Sequence, residues 1–175
     1  HTDLTINANQ RYTLFGNYYF NSGGLDLSIM GQYSGKAVLY WMNGSSLSVE
    51  QLNFIPKVNQ WYFYELTRSS NSLTIKVNGD TIDTINVTNL ANPARSLLIG
   101  VGANGSSGIN SSFMKGYISD FHYVTGTTAT ESSVPTELMA THSSSALHIK
   151  GTDAAILDKS QREYLTLYGA ANSTD

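Results

Sequence analysis

The residues with potential for chemistry are few and scattered. Five glutamates, Glu50, Glu65, Glu131, Glu137 and Glu163, stand far apart in sequence. A retaining glycosidase needs two carboxylates roughly 5–5.5 Å apart, and no carboxylate-rich strand supplies such a pair. Only Glu65 falls in a strong strand pattern, where a structural ion pair with Arg68 or Lys76 is the plainer role. The four histidines, His1, His122, His142 and His148, show neither H-x-H nor H-E-x-x-H spacing, so no zinc site is expected. His122 lies between Phe121 and Tyr123 and reads as an outward-facing strand residue. Ser, His and Asp all occur, but without G-x-S-x-G or another nucleophile signature. Gly100-Val101-Gly102 leads into an Asn/Gly/Ser stretch and not a helix, which leaves phosphate binding unsupported. Cysteine is absent, which removes thiolate chemistry and disulfides together. The expectation is a protein that is not an enzyme.

Binding chemistry is better represented. Tyr18, Tyr19, Tyr40, Trp41, Tyr62 and Tyr64 fall in strand-like runs. Successive residues of a strand point to opposite faces, so each adjacent pair places one ring on the core and one outside. An outward Tyr or Trp suits a sugar or a protein interface, though ordinary sandwich packing explains the same pattern. Loops on a rigid β scaffold commonly carry binding residues. Tyr40, Trp41, Asn43, Asn104, Ser106 and Asn110 are accordingly the candidate ligand-binding residues, with glycan as the first ligand class. Each Asn offers a sugar both a donor and an acceptor.

The elements that would position them are strands. Trp61 to Gly79 reads as two strands around a polar turn, Ser69 to Ser72, with a second turn at Asn78-Gly79. Leu73, Ile75 and Val77 alternate strictly with Thr74, Lys76 and Asn78, the period of a strand with one buried face. Asn-Gly marks a tight turn because both residues tolerate positive φ. Other strands are expected at Arg11 to Phe20, Leu25 to Met30, Lys36 to Met42, Leu47 to Phe54, Thr81 to Val87, Ser96 to Val101 and Phe113 to Thr125. Gly16 reads as a bulge or a close backbone approach, and Ser119-Asp120 as a second bulge. Ala103 to Ser112 is expected as a long loop. Ser145 to Ile149 and Tyr164 to Tyr168 read as two further strands. About ten short strands without helical periodicity predict an all-β antiparallel sandwich or barrel. Trp61, Leu73, Ile75, Val77, Leu98, Ile118, Phe121 and Tyr123 are its expected core.

Composition narrows the partners. Lys and Arg number 10 against 13 Asp plus Glu, a formal net charge of −3 with no basic patch, which argues against nucleic acid. No run of 18 apolar residues is present, so no membrane-spanning helix is expected. The chain begins at His1 and not at Met, which reads as a processed product, a tagged chain or an excised module.

Four pieces taken together resemble a known family. They are Trp61 to Arg68, Leu73 to Gly79, Leu97 to Gly100 and Phe113 to Tyr123, the last reading F-M-K-G-Y-I-S-D-F-H-Y. This order is similar to that of the laminin-G-like, concanavalin A-like lectin and glucanase jelly rolls, and the G-Y-I-S-D-F form to modules of phage and viral structural proteins. The resemblance covers about residues 4–126 firmly and the last forty loosely. It implies a jelly roll over residues 1–126, a connector at 127–137, and strands at 138–175 that complete the sandwich or bridge to a neighbour. It also implies an attachment or assembly module, located on a virion or outside the cell. The expected partner is a glycan or a neighbouring structural protein, and a homo-oligomer is possible. No cofactor is expected apart from a possible calcium ion, which relatives often bind at a rim; Asp80, Asp83, Asp120 and Asp153 are its candidate ligands, although Asp80 also suits plain turn chemistry. The E-x-D-x-E or E-x-D-x-x-E strand of the jelly-roll glucanases is missing. So is the family's opening strand, whose loss would leave an open sheet edge.

Overall fold

The computed structural model describes residues 6–17, 23–43, 46–90, 96–104, 108–126, 134–137, 139–151, 156–158 and 160. The chain divides into two compact units, His1–Lys115 and Gly116–Asp175. Every sheet is antiparallel, as the alternation in the sequence requires.

In the first unit the strands are β1 (Arg11–Gly16), β2 (Leu25–Met30), β3 (Lys36–Asn43), β4 (Ser46–Gln51), β5 (Tyr64–Ser69), β6 (Ser72–Val77), β7 (Asp80–Asn86), β8 (Leu98–Ile99), β9 (Val101–Asn104) and β10 (Gly108–Phe113). One sheet has the order β4-β3-β2-β1-β8 and another the order β5-β6-β7. Their facing sides form the sandwich core. Leu27, Ala37, Leu39 and Trp41 from the first sheet meet Leu73, Ile75 and Ile85 from the second, with Leu52 and Val87 closing the cluster. The buried set on β6 is Leu73, Ile75 and Val77, as the alternation predicts.

Turn chemistry fixes the registers. Asn78 and Gly79 both have positive φ, 53° and 90°, in the two-residue turn joining Val77 to Asp80, the geometry that matches strand twist. Asn78 then ties down the chain before β5: its N–H donates to the Phe63 carbonyl and its Oδ1 accepts the Phe63 N–H, each at 2.9 Å. Gly16 is a close approach, since a Cβ there would lie 2.8 Å from the Asp26 Cα. The neighbouring register shift falls between Thr13 and Phe15.

Several expectations change. Trp61 does not open a strand; the ladder begins at Tyr64, and Trp61 is 55% exposed. The preceding segment is held as a turn, with the Tyr62 hydroxyl accepting the Lys57 N–H and donating to Gln60 Oε1. Without a paired strand beneath it, the Trp61 ring has nothing to bury against. The stretch expected as a loop after Gly102 contains a hairpin, β9 against β10, with Asn104 opposite Gly108. Backbone groups pair whatever the side chains, so Gly, Ser and Asn do not prevent a ladder.

The second unit contains β11 (Asp120–Val124), β12 (Ser145–Gly151) and β13 (Ile156–Asp158), in the order β11-β12-β13. Phe121 to Tyr123, expected in the first domain, thus pair with the C-terminal strand β12. Ile118 and Ser119 precede β11, and the register shift falls between Tyr123 and Val124. Ile118 and Tyr123 are exposed and Phe121 is half-buried. Among the described residues β11 stands at the end of its sheet, with a paired neighbour on one side only. The expected strand at Tyr164 to Tyr168 lies outside the described residues, as do Tyr18 and Tyr19.

Candidate functional site

Among the described residues a group of titratable side chains lies between β11 and β12. Their register sets His122 directly opposite His148, and opposed residues of an antiparallel pair share a face. The two imidazoles stack, with centroids 4.1 Å apart and planes 13° from parallel. His148 is fully buried and His122 half-buried.

Each imidazole has its own partners. His148 Nε2 lies 2.9 Å from Asp120 Oδ1, and its Nδ1 lies 2.9 Å from the Thr141 hydroxyl. Asp120 Oδ2 accepts the Met139 N–H at 3.0 Å. With Asp120 ionised, Nε2–H donates to the carboxylate and Nδ1 accepts from Thr141. The register shift after Tyr123 puts Ser145 opposite Val124, where its hydroxyl meets His122 Nε2 at 2.5 Å. Ser145 Oγ also accepts the His142 N–H at 3.0 Å. His142 Nδ1 in turn accepts the Ser144 N–H. Burial holds the His122 pKa below its ordinary value; His148, His142 and Lys150 act the same way, and Asp120 opposes them.

Ser, His and Asp therefore meet, but a nucleophilic relay requires one imidazole to bridge the hydroxyl and the carboxylate. Here Ser145 holds one ring and Asp120 the other. The Ser145 side of the cluster is also closed, with Ser145 only 2% exposed. The arrangement is a pair of coupled hydrogen-bonded dyads bracing two strands. The sequence reading placed His122 outward and gave His148 no role. The residues are separated by 23 to 28 positions, and only the β11–β12 register brings them together.

A second polar network lies in the first unit. The guanidinium of Arg11 contacts Asp26, with Nη2 2.6 Å from Oδ1, and Arg11 Nε donates to Ser28 Oγ at 2.9 Å. Ser28 donates to Asp26 Oδ1 at 2.5 Å, and the Thr13 and Ser28 hydroxyls lie 3.0 Å apart. Asp26 is completely buried. Desolvation outweighs Arg11 and Ser28 and holds its carboxyl above the ordinary range. Arg11 also lies 4.8 Å from the centroid of the Tyr40 ring.

Of the six residues expected to bind ligand, Tyr40 and Trp41 have buried rings. Tyr40 is buried beside Met30 and Val38 and donates its hydroxyl to Met30 Sδ; burial first, then Tyr33, pushes its pKa up to about 12. Trp41 is buried in the sandwich core. Neither ring is free to stack on a sugar, because β3 is an inner strand covered on both faces. Asn43 ends β3 opposite Ser46, and its Oδ1 accepts from Asn89 Nδ2 at 3.4 Å. Asn104 and Asn110 lie on β9 and β10, and Ser106 lies outside the described residues. Glu65 pairs with Lys76 at 3.4 Å and also accepts from the Thr67 hydroxyl. Among the described residues no group of three or more His, Asp or Glu side chains could hold a metal ion. Asp83 instead accepts the Thr84 N–H, Asp120 is engaged as above, and Asp153 lies outside the described residues.

No protein-family model matches the chain, and no curated protein matches it. Among solved structures the chain is similar to part of an S-layer domain-containing protein from Clostridium thermocellum ATCC 27405, at 17% identity and a TM-score of 0.32. That match covers 69% of this chain and spans 60% of the length of the solved one.

Proposed function

We propose that this chain is a non-catalytic β-sandwich module for attachment or assembly, part of a virion or another extracellular particle, and that it associates with a second copy of itself through strand β4. The observation that carries this reading is the state of β4. It stands at the end of its sheet, and among the described residues nothing pairs with its outer side. Its Leu47 and Val49 lie opposite Met42 and Tyr40. Those two are buried, whereas Leu47 and Val49 are exposed. An apolar stripe thus runs from the interior onto an open edge, the form that accepts an added strand. β4 contains no Pro or Lys to block such pairing. The burial of Tyr40 and Trp41 takes those two rings out of a lectin reading.

Sedimentation velocity across a concentration series tests this. Self-association should appear in the parent chain and weaken strongly in Val49→Lys, which places a charge on the edge. A parent that stays monomeric throughout would refute assembly through β4. A glycan-binding reading keeps one specific support, an open depression of about 420 Å³ lined by Ser69 to Ser72 and Thr84 to Asn86. Six of its seven lining residues are Ser, Thr or Asn, although most of the wall they expose is apolar. Glycan-array binding abolished by Asn71→Ala would establish that reading instead.

A further inference from the structure

We infer that the stacked His122–His148 pair makes the second unit a proton-triggered latch, in which protonation of His122 releases β11 from β12. The geometry leaves His122 no way to accept a proton without loss. Its Nε2 is already committed to the Ser145 hydroxyl, and its Nδ1 is buried with no hydrogen-bond partner among the described residues. A protonated imidazole donates from both nitrogens. If Nε2–H donates to Ser145, the added Nδ1–H is a buried donor without an acceptor; if Ser145 donates to Nε2, the added proton displaces that bond and Nδ1–H stays unpaired. In either tautomer the charge sits against a second imidazole 4.1 Å away. Leaving a buried donor unpaired is the costly half of hydrogen-bond energetics.

Among the described residues the surrounding charges do not rescue the cation. From β11 itself Asp120 faces the pair, but its Oδ1 is engaged by His148 and its Oδ2 by Met139. From β12 come His148 and Lys150, and from the preceding turn His142, all of which disfavour the proton. β13 places Asp158 opposite Ile149 and not opposite His148.

The direction follows from linkage. An unfolded chain protonates His122 near 6.5, while the folded unit holds it below that value. Between these limits the open state binds more protons, so the closed state loses stability as the pH falls. Above 6.5 the stability is fully present. One proton changes the opening equilibrium by about tenfold per pH unit within the window. Asp26 in the first unit has the opposite sign: its raised pKa means that acid favours the folded state there. Mild acid is therefore expected to loosen one unit and spare the other.

Amide hydrogen exchange on the full chain at pH 7.5 and pH 5, corrected for intrinsic exchange, tests the latch. Amides of β11 and β12 should lose protection at the lower pH while those of β2 and β3 keep theirs. His122→Phe, which cannot take the proton, should abolish that response. If His122→Phe lacks protection in β11 already at pH 7.5, the NMR titration of the His122 imidazole in the parent decides instead. A midpoint below 6.5, with loss of β11–β12 protection following the same curve, supports the latch. Equal protection at both pH values, an undiminished response in a folded His122→Phe, or a His122 midpoint at or above 6.5 would overturn it.

Discussion

Leu39 and Leu47 offer a test in which chemistry is constant and only burial differs. Both belong to the β3–β4 hairpin, and Leu→Ala removes the same atoms from each. Leu39 is 0% exposed and packs with Leu27, Leu73 and Ile75 where the two sheets meet. Leu47 is 43% exposed on the edge strand. At Leu39 the substitution removes about three buried carbon groups at ~0.8 kcal/mol each, roughly 2.4 kcal/mol of transfer free energy. The cavity adds to this because Leu39 is clamped between two sheets that cannot both collapse, which brings the cost to about 3–4 kcal/mol. At Leu47 the site is half-solvated and leaves no enclosed cavity, so the cost should stay below about 1 kcal/mol. Urea unfolding followed by tryptophan fluorescence reads the first unit alone, since both tryptophans, Trp41 and Trp61, lie within it. The midpoint should fall far more for Leu39→Ala, with the denaturant slope unchanged. Equal shifts for the two variants, or a cost at Leu39 under about 1.5 kcal/mol, would refute the sandwich core as drawn.

Arg11→Met should destabilise the first unit by roughly 3–5 kcal/mol at neutral pH, because it leaves Asp26 as a buried carboxylate without its cation. Asp26 carries a raised pKa, so the variant should regain stability as pH falls and the carboxyl protonates; a pH series of urea midpoints checks the sign. Gly16→Ala should cost about 1–3 kcal/mol, since its Cβ would press on the Asp26 Cα and Cβ at 2.8 and 2.9 Å. Calorimetry showing an unchanged melting temperature would contradict that close approach.

The sequence by itself determined most of the first unit. Period-two alternation marked Leu73, Ile75 and Val77 as inward, and Asn78-Gly79 marked the turn, because both signals are local: one comes from strand geometry, the other from permitted φ. Gly16 was legible for the same reason; for Glu65 the sequence left Arg68 and Lys76 open, and the β5–β6 register selects Lys76. Tertiary structure decided what depends on neighbours distant in the chain. Trp61 and Tyr123 have ideal strand chemistry, yet one precedes its ladder and the other lies on a strand that, among the described residues, is paired on one side only, and both are exposed. Tyr40 and Trp41 were read as one ring inside and one outside, but β3 is an inner strand with both faces covered, and both rings are buried. The Asp120–His148 and His122–Ser145 dyads depend on the β11–β12 register and its shift after Tyr123. Side-chain periodicity gives the face a residue occupies, but the residue opposite it is chosen by long-range pairing, which no local pattern encodes.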